Sequence, residues 1–180
     1  MKQEVVVIEK AGKKIIKREW LESGDLAVVI KAMGKGDYVV EVKVRAKKDE
    51  IKGEVKIVGI VGGGAKVKVR GLVQVGKGIK GVEMRLEMRM VLMDKKSWVE
   101  VEPNMEIVTE EVKASHAATV GTVSKEELFY LMSRGLSQKE AEKLWLKGWM
   151  EKIVKTINRE EDKERVVKLL SGFNKERKLR

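Results

Sequence analysis

The chain's only histidine, His116, lies in the run from Ala114 to Gly135, ASHAATVGTVSKEELFYLMSRG, between a long valine-rich region and a charged tail. An imidazole titrates near neutrality, so proton transfer and metal ligation are both accessible to His116 at ordinary pH. One histidine cannot complete a metal site. Further ligands would have to come from nearby carboxylates such as Glu110 or Glu111, from a second copy, or from another protein. The plain alternative is a turn or core histidine satisfied by local hydrogen bonds.

Other chemistry is weaker. Ser115 and Ser124 could serve a hydrolase only beside a base and an orienting carboxylate, and Ser115 adjoins His116, so on a strand the two point to opposite faces. Gly76, Gly78 and Gly81 spell G-x-G-x-x-G, but Val82 to Met90 continues as a two-residue alternation and not as a helix, so a turn is expected. Gly59 to Lys66, GIVGGGAK, lacks the Gly-Lys-Ser/Thr ending of a phosphate loop. Met84, Met88, Met90, Met93 and Met105 follow the apolar face and read as core packing rather than as a thioether metal site.

Composition narrows the field. The sequence has no cysteine, which excludes disulfides, thiolate nucleophiles and clusters held by its own sulfurs. Lys and Arg number 39 against 28 Asp and Glu, a net charge of +11 that favours acidic or phosphate-bearing encounter partners. The charges of both signs are interspersed and only two Phe and two Tyr are available for stacking, so no specific nucleic-acid reader is expected. The start, MKQEVVVIEK, has no signal-peptide core and no apolar run could span a bilayer, so the expectation is a cytoplasmic protein without a membrane role. Abundant Lys and Glu with a single proline follow the trend of heat-adapted proteins.

The elements that must position His116 fall into two regions, a β core over 1–123 and a helical domain over 124–180. Leu26 to Lys31, Tyr38 to Arg45, Gly53 to Val61, Lys66 to Val75, Val82 to Leu92 and Trp98 to Val101 read as strands separated by glycine turns, and Met1 to Gly24 adds a strand or two with a turn at Gly12. Such spacing fits a sandwich, a barrel or a solenoid of stacked rungs. In the tail, Ser124 with Glu127, Ser137 with Glu140 and Asn158 with Glu161 announce three helices, the first closed by Gly135. Ala141, Leu144, Trp145, Gly148, Trp149, Lys152 and Ile153 make the apolar stripe expected of the second, and the third is expected over Arg159 to about Lys178. Leu128, Phe129, Leu131, Met132, Leu136, Leu144, Trp145 and Trp149 are many large side chains for a short tail. Leu128, Phe129, Leu131, Met132, Trp145 and Trp149 are the expected partner-binding set.

Lys113 to Gly121, Leu128-Phe129-Tyr130-Leu131, Ser133-Arg134-Gly135-Leu136 and Glu140-Ala141 together resemble the C-terminal core signature of the SufB/SufD proteins of iron–sulfur cluster assembly. The resemblance implies a mainly β protein, a right-handed parallel β-helix followed by a small helical domain. It also implies a partner ATPase of the ABC type, SufC, on the helices, and pairing of two β-helices through edge strands, with a SufB-like subunit or a second copy. SufB-type sequences usually flank the corresponding histidine with glutamates and supply a scaffold cysteine. Here Ser115 and Ala117 stand there and cysteine is absent, a pattern closer to SufD, in a short form matching only about Gly24 to Gly148. By motif position His116 is then a single metal ligand, for iron or a transient Fe–S cluster within the complex, in a chain that binds no cofactor alone and is not an enzyme. The alternative is a structural homodimer or ATPase-binding protein that kept the fold without a cluster site.

Overall fold

The computed structural model describes residues 2–171. The chain divides into two compact units, one ending at Gly121 and one beginning at Thr122.

The first unit is a parallel β-solenoid of about four turns. Its strands are β1 (Lys2–Ile8), β2 (Gly12–Trp20), β3 (Gly24–Met33), β4 (Gly36–Ala46), β5 (Lys52–Gly62), β6 (Ala65–Val75), β7 (Val82–Leu92), β8 (Trp98–Ile107) and β9 (Val112–Thr122). Odd strands form one sheet in the order β1-β3-β5-β7-β9, and even strands form the other in the order β2-β4-β6-β8. Each turn of the chain therefore lays one strand on each sheet. Equivalent positions recur after 22 residues at Lys2 and Gly24, 26 at Gly12 and Tyr38, 29 at Gly24 and Gly53, 31 at Lys52 and Glu83, and 32 at Lys66 and Trp98.

The alternation in the sequence sets the interior. Tyr38, Val40, Val42, Val44 and Ala46 point inward from β4, and the parallel register stacks Val40 on Val69 and Val44 on Val73 of β6. From the odd sheet, Leu26, Val28, Ile30, Val55, Ile57, Leu86, Met88 and Met90 face them. Each fully buried valine or leucine contributes roughly 1.5–3 kcal/mol relative to exposure. Branched side chains suit this pleated surface, where χ1 is already restricted. Glycines mark close approaches: between the sheets, a Cβ on Gly71 would lie 3.0 Å from both methyls of Leu86, and within the odd sheet one on Gly59 would lie 2.6 Å from the methyl of its register neighbour Met90.

The glycine-rich stretches are turns, as expected. Gly63 and Gly64 adopt φ of +69° and +83°. Their amides donate to the Asp94 carboxylate at 2.6 Å and the Ser97 hydroxyl at 3.0 Å, which uses the donors a phosphate loop would need. Gly81 donates to the Glu111 carbonyl at 2.9 Å and leads into β7, so the G-x-G-x-x-G run opens a strand.

The second unit holds α1 (Lys125–Ser133), α2 (Gln138–Val154) and α3 (Glu160–Ser171). Ser124 accepts from the Glu127 amide, and Ser137 with Glu140 completes a reciprocal capping box. Gly135, at φ +97°, closes α1 as anticipated. The stripe expected on α2 is corrected in part: Ala141 and Ile153 are buried, but Leu146 joins them and Leu144 is exposed. α3 begins at Glu160, and its expected extension to Lys178 lies outside the described residues.

Candidate functional site: the last strand and the helical surface

β9 is the final strand of the odd sheet, paired on one side only. Its sequence, VKASHAATVGT, is mostly small residues with a few β-branched ones, which a sheet accepts but which carry little hydrophobic signal. The strands expected from the sequence end at Val101, whereas β8 runs on to Ile107 and β9 follows. His116 accordingly sits neither in a turn nor in the core: it is exposed in mid-strand.

Strand alternation fixes its direction. Val112 packs against the core cluster, so Ala114, His116, Ala118 and Val120 share that interior-side face. The next turn of the solenoid would cover this face, and at β9 it is open, with Val120 43% exposed. β8, the last strand of the even sheet, is an edge as well, and carries the chain's only proline, Pro103, where an absent N–H is tolerated. The face thus presents an apolar, small-residue floor with one imidazole in it.

Carboxylates do not gather around His116. Glu111 is bound by Lys80 at 2.8 Å, and among the described residues no group of three His, Cys, Asp or Glu side chains is placed to hold a metal. Any ion at His116 must take its remaining ligands from elsewhere. Met84, Met88 and Met90 are buried in the core, matching the packing reading.

The opposite end of the solenoid is built differently. Glu4 on β1 shares a face with Val6 and Ile8, and Arg18 on β2 shares one with Ile16 and Trp20, so both point to the interior side of the first turn. There Arg18 clasps Glu4 through both guanidinium arms, with Nε to Oε2 at 2.6 Å. Hydrogen bonding to Arg18 lowers the Glu4 pKa and raises that of Arg18.

Charge on the outer even-sheet face runs in ladders. Lys68 and Arg70 on β6 reach Glu102 on β8 at 2.7 and 2.5 Å, and Lys68 also reaches Glu100 at 2.8 Å. These two cations hold the Glu102 carboxyl down at about 2.

In the helical unit the six expected partner-binding residues separate. Phe129 is 73% exposed and Met132 is exposed, whereas Leu128, Leu131, Trp145 and Trp149 are half-buried. The Trp145 indole donates to Glu127 at 2.7 Å, tying α2 to α1. Tyr130 and Leu144 are also exposed, and Arg134 lies over the Tyr130 ring at 5.4 Å. Tyr130 adjoins Phe129 in the same turn of α1, a neighbourhood the sequence contained but its aromatic count obscured. Among the described residues no helix is long and apolar enough to cross a membrane.

Stacked parallel rungs followed by helices, ending in an open edge strand, define the chain as a β-solenoid protein with a helical appendage. Residues 22–149 match the model of the SUF system FeS cluster assembly, SufBD core domain, and the chain belongs to that family. It is 38% identical over 94 residues to the iron–sulfur cluster assembly protein SufB of Bacillus subtilis, covering 52% of this chain and 20% of that protein. It is 40% identical over 95 residues to an iron–sulfur cluster assembly SufBD family protein of Mycobacterium bovis, covering 53% of this chain and 11% of that protein. A SufBD family protein of Staphylococcus aureus is 36% identical over 94 residues, 52% of this chain and 20% of that protein. The chain thus spans only a small part of the length of these relatives, and the likeness runs to the family as a whole rather than to its SufB or SufD branch.

Proposed function

We propose that this chain is a non-catalytic, SufD-like subunit of an iron–sulfur cluster assembly scaffold. The observation that carries the proposal is the exposed His116 on the open interior-side face of β9, a strand with one free edge. A second β-solenoid, from a SufB-like subunit or another copy, would pair with that edge and bring its own ligands to the imidazole. Neutral imidazole suits iron, and sulfur ligands come from the other subunit, since this sequence has no cysteine. His116 contributes one ligand to iron or to a nascent cluster, which is cargo and not a resident group. Ser115 and Ala117 beside His116 support the SufD-like assignment over a SufB-like one.

The exposed side chains Phe129 and Met132, flanked by Leu128, Leu131, Trp145 and Trp149, form the surface for a SufC-like ABC ATPase, which supplies the nucleotide hydrolysis. The test is reconstitution of the chain with a SufB-like subunit and a SufC-like ATPase. His116→Ala should lower iron and cluster retention by metal analysis and visible absorption, and unchanged retention refutes the ligand role. Sedimentation with and without ATP should show association with the ATPase, and its absence in both conditions refutes the docking surface.

A second reading, consistent with a sequence that has no cysteine, is a structural homodimer or ATPase-binding protein with the fold but no cluster site. Iron-free homodimers that bind the ATPase normally would establish it.

A further inference from the structure

The outer face of the even sheet holds a groove of about 350 Å³ that crosses β2, β4, β6 and β8 and engages neither His116 nor the helical surface. Its floor follows the register row Lys17, Lys43, Leu72, Asn104. Ile15, Glu41 and Arg70 border it on one side and Glu106 on the other. Over four strands spaced about 4.8 Å apart such a row is about 14 Å long.

Charge is uneven along this row. Lys17 and Lys43 stand directly opposite each other on neighbouring strands, an arrangement that costs stability through like-charge repulsion. The nearby carboxylates are shared with other partners, and Glu41 feels Lys17 only as a secondary charge. Glu41 pairs with Lys13 at 2.8 Å, and Glu102 is taken by Lys68 and Arg70. Glu106 accepts from Gln74. Arg45, exposed one row away, adds a third cation without an ion pair among the described residues. Toward β6 and β8 the floor turns apolar and then neutral, at Leu72 and Asn104, while Ile15 at the rim is 47% exposed.

We infer that this groove binds an extended acidic segment of a partner protein, with carboxylates over Lys17 and Lys43 and an apolar side chain over Leu72. No aromatic side chain lines the groove, so it offers no stacking platform for bases. The leucine-sized floor beside the lysines favours a peptide over a bare phosphate.

The probes are a short fluorescein-labelled peptide in which a run of glutamates is followed by leucine, its all-glutamate counterpart and a labelled oligothymidylate, read by anisotropy on the full chain. The leucine-bearing peptide should bind most tightly. Lys17→Glu/Lys43→Glu should weaken it about tenfold, equivalent to about 1.4 kcal/mol. Lys35→Glu/Lys77→Glu, which makes the same charge change in two exposed turns, should leave it unchanged. Lys17→Gln/Lys43→Gln, gentler on the fold, should give a smaller loss in the same direction. Equal losses in the groove and turn variants, or oligothymidylate displacing the peptide with the same dependence on Lys17 and Lys43, overturn the inference. Either outcome leaves the roles proposed for His116 and Phe129 untouched.

Discussion

Arg18 and Glu4 form a two-armed ion pair across the two sheets at interior-side positions of the first described turn. At the last turn the corresponding face holds Ala114, His116, Ala118 and Val120 and no charged pair. A stack of parallel rungs exposes apolar interior at each end, and repeat proteins need a polar cap wherever that interior meets water. Among the described residues the β1–β2 turn carries such a polar pair and β9 does not. That difference supports the proposed pairing of a second solenoid with β9.

Removing the closure has a pH signature. Arg18→Ala should lower the unfolding free energy measured by urea titration at neutral pH by about 0.5 kcal/mol, as for a partly exposed bidentate pair. Because Arg18 lowers the Glu4 pKa below its usual 4.5, the pair stabilises above that value and loses its effect as pH falls through the folded one. The gap between wild type and variant should therefore narrow on acidification in paired urea titrations.

Glu102 gives a second acid window. Its carboxyl is held at about 2 by Lys68 and Arg70 against 4.5 when free, so the unfolded chain binds more protons between those values. Stability contributed by Glu102 is complete above pH 4.5 and disappears as pH falls toward 2. Thermal midpoints measured across this range should drop, and Glu102→Gln should flatten that part of the slope.

Gly53 tests the stacking. A Cβ there would lie 2.2 Å from the Gly24 carbonyl oxygen and 2.2 Å from the Trp20 ring, with no room on the backbone side. Gly53→Ala should destabilise by about 1–3 kcal/mol or more. Gly121→Ala, where nothing lies within 4 Å of the added carbon, should be near neutral in the same denaturation assay.

Phe129→Ser separates docking from folding. The ring is 73% exposed, so its loss should leave the thermal midpoint within a degree or so while reducing association with a SufC-like ATPase about tenfold or more, as expected of an aromatic anchor. Ser137→Ala should do the reverse. It removes the α2 capping box and should cost about 1 kcal/mol without a comparable direct effect on affinity.

The sequence by itself determined the strands from Leu26 to Leu92, the turns at their glycines, the helix starts at Ser124 and Ser137, and the family. Two-residue alternation, positive-φ glycines and capping boxes are local signals that need no tertiary partner to be read. It also determined that thiolate chemistry is impossible in this chain. Periodicity alone left solenoid, sandwich and barrel open, because strands that alternate between two sheets have the same periodicity as hairpins and differ only in which strand lies beside which; the family resemblance pointed to the solenoid, and the tertiary structure bears it out. Only the structure made a strand of β9, whose alanines and serines carry little hydrophobic contrast. And only stacking order placed Glu4 with Arg18, Lys17 with Lys43, and His116 on an uncovered face, since those relationships depend on register between turns and on where the stack stops.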